Sequence, residues 1–266
     1  KLESLGIVDK DKVFTKDEQR ALELFDQTTS YQNGRYEVSL PFKENAVALL
    51  NNYGKAFGQL RSTERRLLKD QAKMDQYNIA IMEYEKLGFA RQLSMEEAEM
   101  MKRADDVYFV PHHPVVRNSS VSTKLRIVFN ASSEDRNGNS LNSMLLPGPP
   151  LQPDIGKILM RFRTRKIGLI GDLQKMFCQT ALTKDHRKYQ LYLWRGCDQS
   201  VEPKIYMMEV LMFGVAPSPF LAQNGVELHA KTEAIVNEFP LAAAEVRENK
   251  YVDDYIGGAE TELETI

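Results

Sequence analysis

Three aspartates stand where acidic side chains are least expected, at the ends of apolar runs. Asp172 closes the run IGLIG at 167–171, and Asp253 and Asp254 sit side by side inside YVDDYIGG at 251–258. Both stretches read as strands, with the aspartate pair at a hairpin tip. If these strands are neighbours in one sheet, three carboxylates converge. Carboxylates held that closely cannot all stay ionised without cations, and hard oxygen ligands select Mg²⁺ or Mn²⁺. Two such ions about 4 Å apart are the arrangement that activates one oxygen and stabilises the departure of another in phosphoryl transfer. Asp-Asp pairs are also ordinary turn residues, so the weight of this reading rests on its agreement with other stretches in order along the chain.

Other chemistries find less support. Cys178 and Cys197 suit reduced, buried thiols, and neither a CxxC nor an HxxxH spacing suggests zinc. His112 and His113 are adjacent, flanked by Pro111 and Pro114, with no third ligand near them in sequence. The overall charge of −2 argues by itself against a nucleic-acid binder, but it hides an asymmetry: residues 111–200 carry a net +8 and residues 201–266 a net −8. A basic segment followed by an acidic one suits a protein that holds a polyanion with one part and metal ions with the other. The plainer alternative is that the two segments neutralise each other across an interface.

The elements that must position the aspartates follow from local signals. Thr15 with Glu18, and Ser94 with Glu97, read as capping boxes opening helices. Asn33-Gly34 marks a turn before the alternation Tyr36, Val38, Leu40. Residues 43–86 are helical in pattern and are expected to form two helices, with RSTERRLLKD as a solvated face. The segments around 107–117 and 122–133 read as a hairpin, 155–165 as a helix, KYQLYLW and KIYMMEVLMF as strands, and 218–239 as one helix. Helices on a mostly antiparallel sheet make the fold class α+β. No run of about 18 apolar residues is present, and KLESLGIVDK lacks the blocks of a signal peptide, so the default location is intracellular with no membrane partner.

With these elements in order, the chain resembles the reverse transcriptases of LTR retrotransposons, most closely the BEL/Pao group. YVDD looks like the palm motif with two aspartates. GDLQKMF looks like the earlier palm motif, in which an aromatic follows the aspartate by five residues. FGVAPSPF looks like the motif between them, and KLRIVFNAS resembles the fingers strand whose arginine meets the incoming triphosphate. YFVPHHPVV, SLNSMLLPGP and GRYEVSLPFK are similar to stretches of BEL/Pao polyproteins.

The resemblance covers residues from about 30 to the end. It implies fingers and palm of a right-hand polymerase at 106–266, truncated after YVDD with the thumb absent, and a helical linker region at 1–105. It implies Asp172 and Asp253 as principal ligands of two Mg²⁺ ions, Mn²⁺ being possible, with Asp254 as a supporting carboxylate and the carbonyl of Leu173 completing one site. It further implies Phe177 beneath the sugar of a dNTP, Arg126 on the triphosphate with Lys124 or Arg117 as a second phosphate ligand, and Gly214, Ser218 and Pro219 shaping the pocket. Phe213 stands where many retroviral enzymes carry Gln. Arg161, Arg163, Arg165 and Lys166 either add to a template-primer surface or form a solvated helix end.

The implied activity is addition of dNTP to a primer 3′-hydroxyl on an RNA or DNA template. The implied partners are the rest of the pol polyprotein (thumb, RNase H, integrase), and the implied location is a cytoplasmic retrotransposon particle. The fragment alone is expected to be weak or inactive. A two-metal nuclease is the second enzymatic reading, disfavoured by the dNTP-pocket motifs. A degenerate or domesticated remnant that binds nucleic acid without catalysis is the non-enzymatic one.

Overall fold

The computed structural model describes residues 14–116, 125–262 and 264. It is a mixed α+β fold in which long helices lie over four small sheets. Helix α1 (Lys16–Thr28) opens on the Thr15 and Glu18 capping box, both reciprocal bonds being formed. Strands β1 (Ser30–Gln32) and β2 (Arg35–Val38) make a hairpin with Asn33 at φ +51° and Gly34 at φ +77°, the backbone that a two-residue turn of this hand demands.

The expected pair of helices forms as α2 (Tyr53–Leu67) and α3 (Gln71–Lys86), but residues 43–52 are irregular and not helical. Distant partners hold them open. The Asn52 amide donates to the Phe109 carbonyl at 2.8 Å and its Oδ1 accepts from the Phe109 N–H at 2.7 Å. The Asn51 amide donates to the carbonyls of Met101, Lys102 and Ala104, which end the helix α4 described next.

Strand β3 (Ala90–Gln92) precedes α4 (Met95–Arg103), which opens on the Ser94 and Glu97 capping box. The expected hairpin forms from β4 (His112–Val116) and β5 (Leu125–Phe129). Then follow α5 (Leu141–Met144), α6 (Ile155–Thr164), β6 (Ile167–Asp172), β7 (Ala181–Leu182), β8 (Leu191–Trp194) and β9 (Lys204–Met208).

The segment expected as one helix from 218 is two, α7 (Ser218–Lys231) and α8 (Glu233–Glu238). Thr232 between them is extended, and its hydroxyl donates to the His229 carbonyl at 2.8 Å. Helix α9 (Pro240–Asn249), not anticipated from the sequence, leads into the closing hairpin of β10 (Lys250–Tyr251) and β11 (Asp254–Ala259).

In place of one extended sheet the described residues form four small ones, ordered β1-β2-β7, β3-β9-β8, β4-β5 and β10-β11-β6. All pairings are antiparallel except β2 with β7. The region before residue 105 is not purely helical, and β3 pairs with β9 from the second half of the chain. One buried apolar cluster spans both halves. No helix among the described residues is long and apolar enough to cross a membrane.

Two polar features lock the halves together. RSTERRLLKD is not wholly a solvated face: Glu64 is fully buried and receives Arg195 in a two-pronged bond, Nε to Oε1 at 2.8 Å and Nη2 to Oε2 at 2.7 Å. His112, also buried, lies among Tyr77, Phe129, Tyr192 and Trp194. Its Nε2–H donates to the Leu193 carbonyl at 2.8 Å, leaving Nδ1 to accept from the Tyr77 hydroxyl at 2.6 Å. It is a satisfied, neutral core histidine, and burial holds its pKa down at about 4.

Both features generate expectations for stability. Glu64→Ala leaves the Arg195 guanidinium buried without its partner and is expected to cost about 3–5 kcal/mol in denaturant unfolding, with the double replacement by Met at 64 and 195 costing less than Glu64→Ala alone. For His112, the folded pKa lies below the unfolded value of about 6.5. As pH falls below that value the unfolded chain takes up the proton first, so stability is lost between pH 6.5 and about 4. The loss by pH 4.5 is expected to be about 2–3 kcal/mol, and His112→Gln should flatten the pH dependence of the urea midpoint over that window.

Candidate functional site

The site grows from the ladder between β6 and β11. Six residue pairs run antiparallel, from Asp254 opposite Asp172 to Ala259 opposite Ile167. Directly opposite residues in such a pair share a face, with their α-carbons about 4.5–5.5 Å apart, so the carboxylates of Asp172 and Asp254 project from the same side. Tyr251 pairs with Asp254, which leaves Val252 and Asp253 as a two-residue turn. Val252 takes φ +59°, a costly backbone for a β-branched residue. The turn is held from beneath: the Leu173 N–H donates to the Asp253 carbonyl at 2.7 Å, and Val252 packs against the core.

Asp172, Asp253 and Asp254 are all exposed. Among the described residues no three His, Cys, Asp or Glu side chains form a group that could hold a metal ion. The donor set is still suited in kind to a hard cation. It is entirely carboxylate oxygen, two of its members stand on one face of a fixed ladder, and water reaches all three. The Leu173 carbonyl accepts the Met176 N–H at 3.0 Å, which opens the 3-10 turn Met176–Gln179 and leaves one lone pair free.

Beside the turn lies a cavity of about 570 Å³ between α3, the β4–β5 hairpin and the segment around Gly214. Its lining includes Asp253, Arg126, Lys175, Phe213, Gly214 and Tyr84. Arg126 is exposed on β5, opposite Val115. Lys175 adopts φ +52° and pairs with Glu83 of α3 at 2.9 Å. Phe177 is half-buried and stands behind Phe213, their ring centroids 4.4 Å apart, so Phe213 presents the aromatic surface to the cavity. Burial pushes the Cys178 thiol up to about 11, which makes it a poor nucleophile at neutral pH.

The remaining predicted residues divide into those that build the wall and those placed elsewhere. Gly214 has φ +95°, and a Cβ there would lie 2.1 Å from the Phe129 carbonyl oxygen. Only glycine lets this segment approach β5. Asn142 fastens the same segment, donating to the Gly214 carbonyl at 2.9 Å and accepting from the Ala216 N–H at 2.8 Å. Ser218 is fully buried, its hydroxyl donating to the Met212 carbonyl at 2.8 Å, and Pro219 occupies the first turn of α7. This pair shapes the wall from behind. Lys124 and Arg117 lie outside the described residues.

The basic cluster before β6 is largely spoken for. Arg161 donates to the Glu248 carbonyl and to Asn249 at 2.8 Å, Arg165 pairs with Glu245 at 3.6 Å, and Lys166 with Glu260 at 3.7 Å. Two ion pairs thus join the basic segment to the acidic one here. Lys175, Glu83 and Tyr84 were not anticipated. Lys175 lay in plain view within GDLQKMF, but nothing local places α3 against it.

Gly214→Ala is expected to destabilise the protein by about 3 kcal/mol or more, from the backbone strain together with the collision at Phe129, read from the shift in the denaturant midpoint. Neither any protein-family model nor any curated protein matches the chain.

Proposed function

We propose that the chain is the fingers and palm of an RNA-directed DNA polymerase of the BEL/Pao retrotransposon type. The observation that carries this reading is the ladder that sets Asp172 opposite Asp254, with Asp253 in the turn lining a cavity that also holds Arg126. Asp172 and Asp253 would hold two Mg²⁺ or Mn²⁺ ions, with Asp254 in support. When bound, such ions lower the pKa of a primer 3′-hydroxyl and neutralise the triphosphate and leaving pyrophosphate.

The chain's own side chains would do the positioning. The guanidinium of Arg126 offers a planar fork to phosphate oxygens. Lys175, three residues after Asp172 and on the cavity wall, adds a second cation near the same space. Phe213, backed by the tilted ring of Phe177, would give the sugar and base of a dNTP an aromatic wall, and Gly214 brings the backbone close. Template and primer would lie across the open face of the carboxylates, recognised by shape and backbone. The rest of a pol polyprotein would supply the thumb grip, RNase H and integrase.

The deciding experiment is primer extension on an RNA template with dNTPs and Mg²⁺ or Mn²⁺, using the chain extended through a thumb region beside its Asp253→Asn variant. Extension is expected in the parent and should fall by about a hundredfold or more in the variant, the scale on which loss of one electrostatic stabiliser acts, with primer-template binding retained. Binding of primer-template without extension by the parent would replace this reading with that of a non-catalytic remnant.

A further inference from the structure

A second cavity, of about 680 Å³, lies on another side of the β10–β11 hairpin, between α7, α8, α9, the β1–β2 hairpin and residues 173–180. Most of its wall is apolar, with Met176, Ile235, Phe239 and Val246 contributing. Among the described residues its charged or titratable nitrogen side chains are Arg35, His229 and Lys250, and no Asp or Glu lines it. The volume lies within the range of about 300–1,000 Å³ that holds small organic ligands.

Lys250 is the telling residue. It is only 5% exposed, yet among the described residues its ammonium has one hydrogen bond, to the Gln223 carbonyl at 3.0 Å. Glu227, the acid whose field it feels, is itself engaged by Lys231 at 3.0 Å and Arg247 at 3.3 Å. A buried ammonium with three protons to donate and one neutral acceptor is incompletely matched, and such a group is costly unless an anion joins it. Arg35, whose guanidinium lies 5.7 Å over the Phe89 ring, adds positive potential to the same space.

We propose that this cavity binds a small organic anion with a flat apolar body, its acid group drawn to Lys250 and Arg35 and its rings set against Ile235, Phe239 and Val246. The inference is independent of the polymerase reading, since it rests on residues that the proposed catalysis does not use. A hydrocarbon alone would leave the ammonium as it is, whereas a carboxylate or sulfonate completes it.

The test is fluorescence titration of the full chain with 8-anilino-1-naphthalenesulfonate and with its uncharged analogue N-phenyl-1-naphthylamine. One site is expected, with the sulfonate bound about tenfold or more tightly than the amine. Lys250→Met should erase that preference, and Ala243→Trp, which projects a ring from α9 into the cavity, should block both probes. If Lys250→Met fails to unfold cooperatively, Arg35→Gln takes its place, with a weakened preference expected. Equal affinity for the two probes, or a preference that survives in the folded charge variant, would overturn the proposal. So would unchanged binding in a folded Ala243→Trp variant.

Discussion

Everything near the carboxylates depends on the register of one strand pair. Asp172 and Asp254 are directly opposite, an arrangement that like charges resist by a few tenths to about 1 kcal/mol. A slip of one residue would send one of them to the other face, so the ladder must be specified elsewhere along its length. The glycines of GDLQKMF's strand and of YIGG do this. A Cβ at Gly258 would lie 2.2 Å from the Ile167 carbonyl oxygen, one at Gly257 would meet the Tyr255 ring, and one at Gly168 would lie 2.8 Å from the Phe162 ring of α6. Small residues at these positions admit one close approach of β6, β11 and α6. Arg161 then ties α6 to the end of α9, so the hairpin that follows starts from a fixed point.

The second half of the site reaches the first through the aromatic core. Residues 111–200 and 201–266 differ sharply in charge, yet the buried cluster does not divide with them, nor at residue 105. His112 begins β4 while bonded to Tyr77 of α3 and to the Leu193 carbonyl of β8. That one imidazole sets the base of the β4–β5 hairpin relative to both layers, and Arg126 rides further along the same hairpin. Glu64 with Arg195 fixes α2 to the end of β8 in the same way. The cavity wall therefore belongs to no single segment: α3 gives Tyr84 and Glu83, β5 gives Arg126, and the segment before α7 gives Phe213 and Gly214.

What could be read from the sequence was what neighbours decide. The Thr15 and Ser94 capping boxes, the Asn33-Gly34 turn and the closing hairpin rest on contacts within a few residues, the β4–β5 hairpin on one short excursion of the chain, and each formed. What was missed rests on partners far away. The late start of α2 is imposed by Asn51 and Asn52, whose partners lie about fifty residues on. The burial of Glu64 depends on Arg195, and the engagement of Arg161, Arg165 and Lys166 depends on α9 and the acidic end of the chain. Helix α9 alone had a local signal, Pro240 at its first turn ahead of an alanine run.

The exposure of the three aspartates follows from the same electrostatics that makes them close. Two unit charges about 5 Å apart interact with roughly 1 kcal/mol in water, and with many times that at the low effective dielectric of a dry interior. The ladder can therefore hold Asp172 opposite Asp254 at small cost only at the edge of the fold, where β6 is open to solvent. Burial would demand a cation before folding could finish. Val252 belongs to the same bargain. At φ +59° a glycine would be less strained, but it would surrender the packing of the valine side chain and loosen the turn. The Leu173 bond to the Asp253 carbonyl, the Tyr251 pairing with Asp254 and the Val252 packing together over-determine a strained turn. The result is a carboxylate pair placed rigidly in water, with the repulsion already met by the backbone and the space beside it left open.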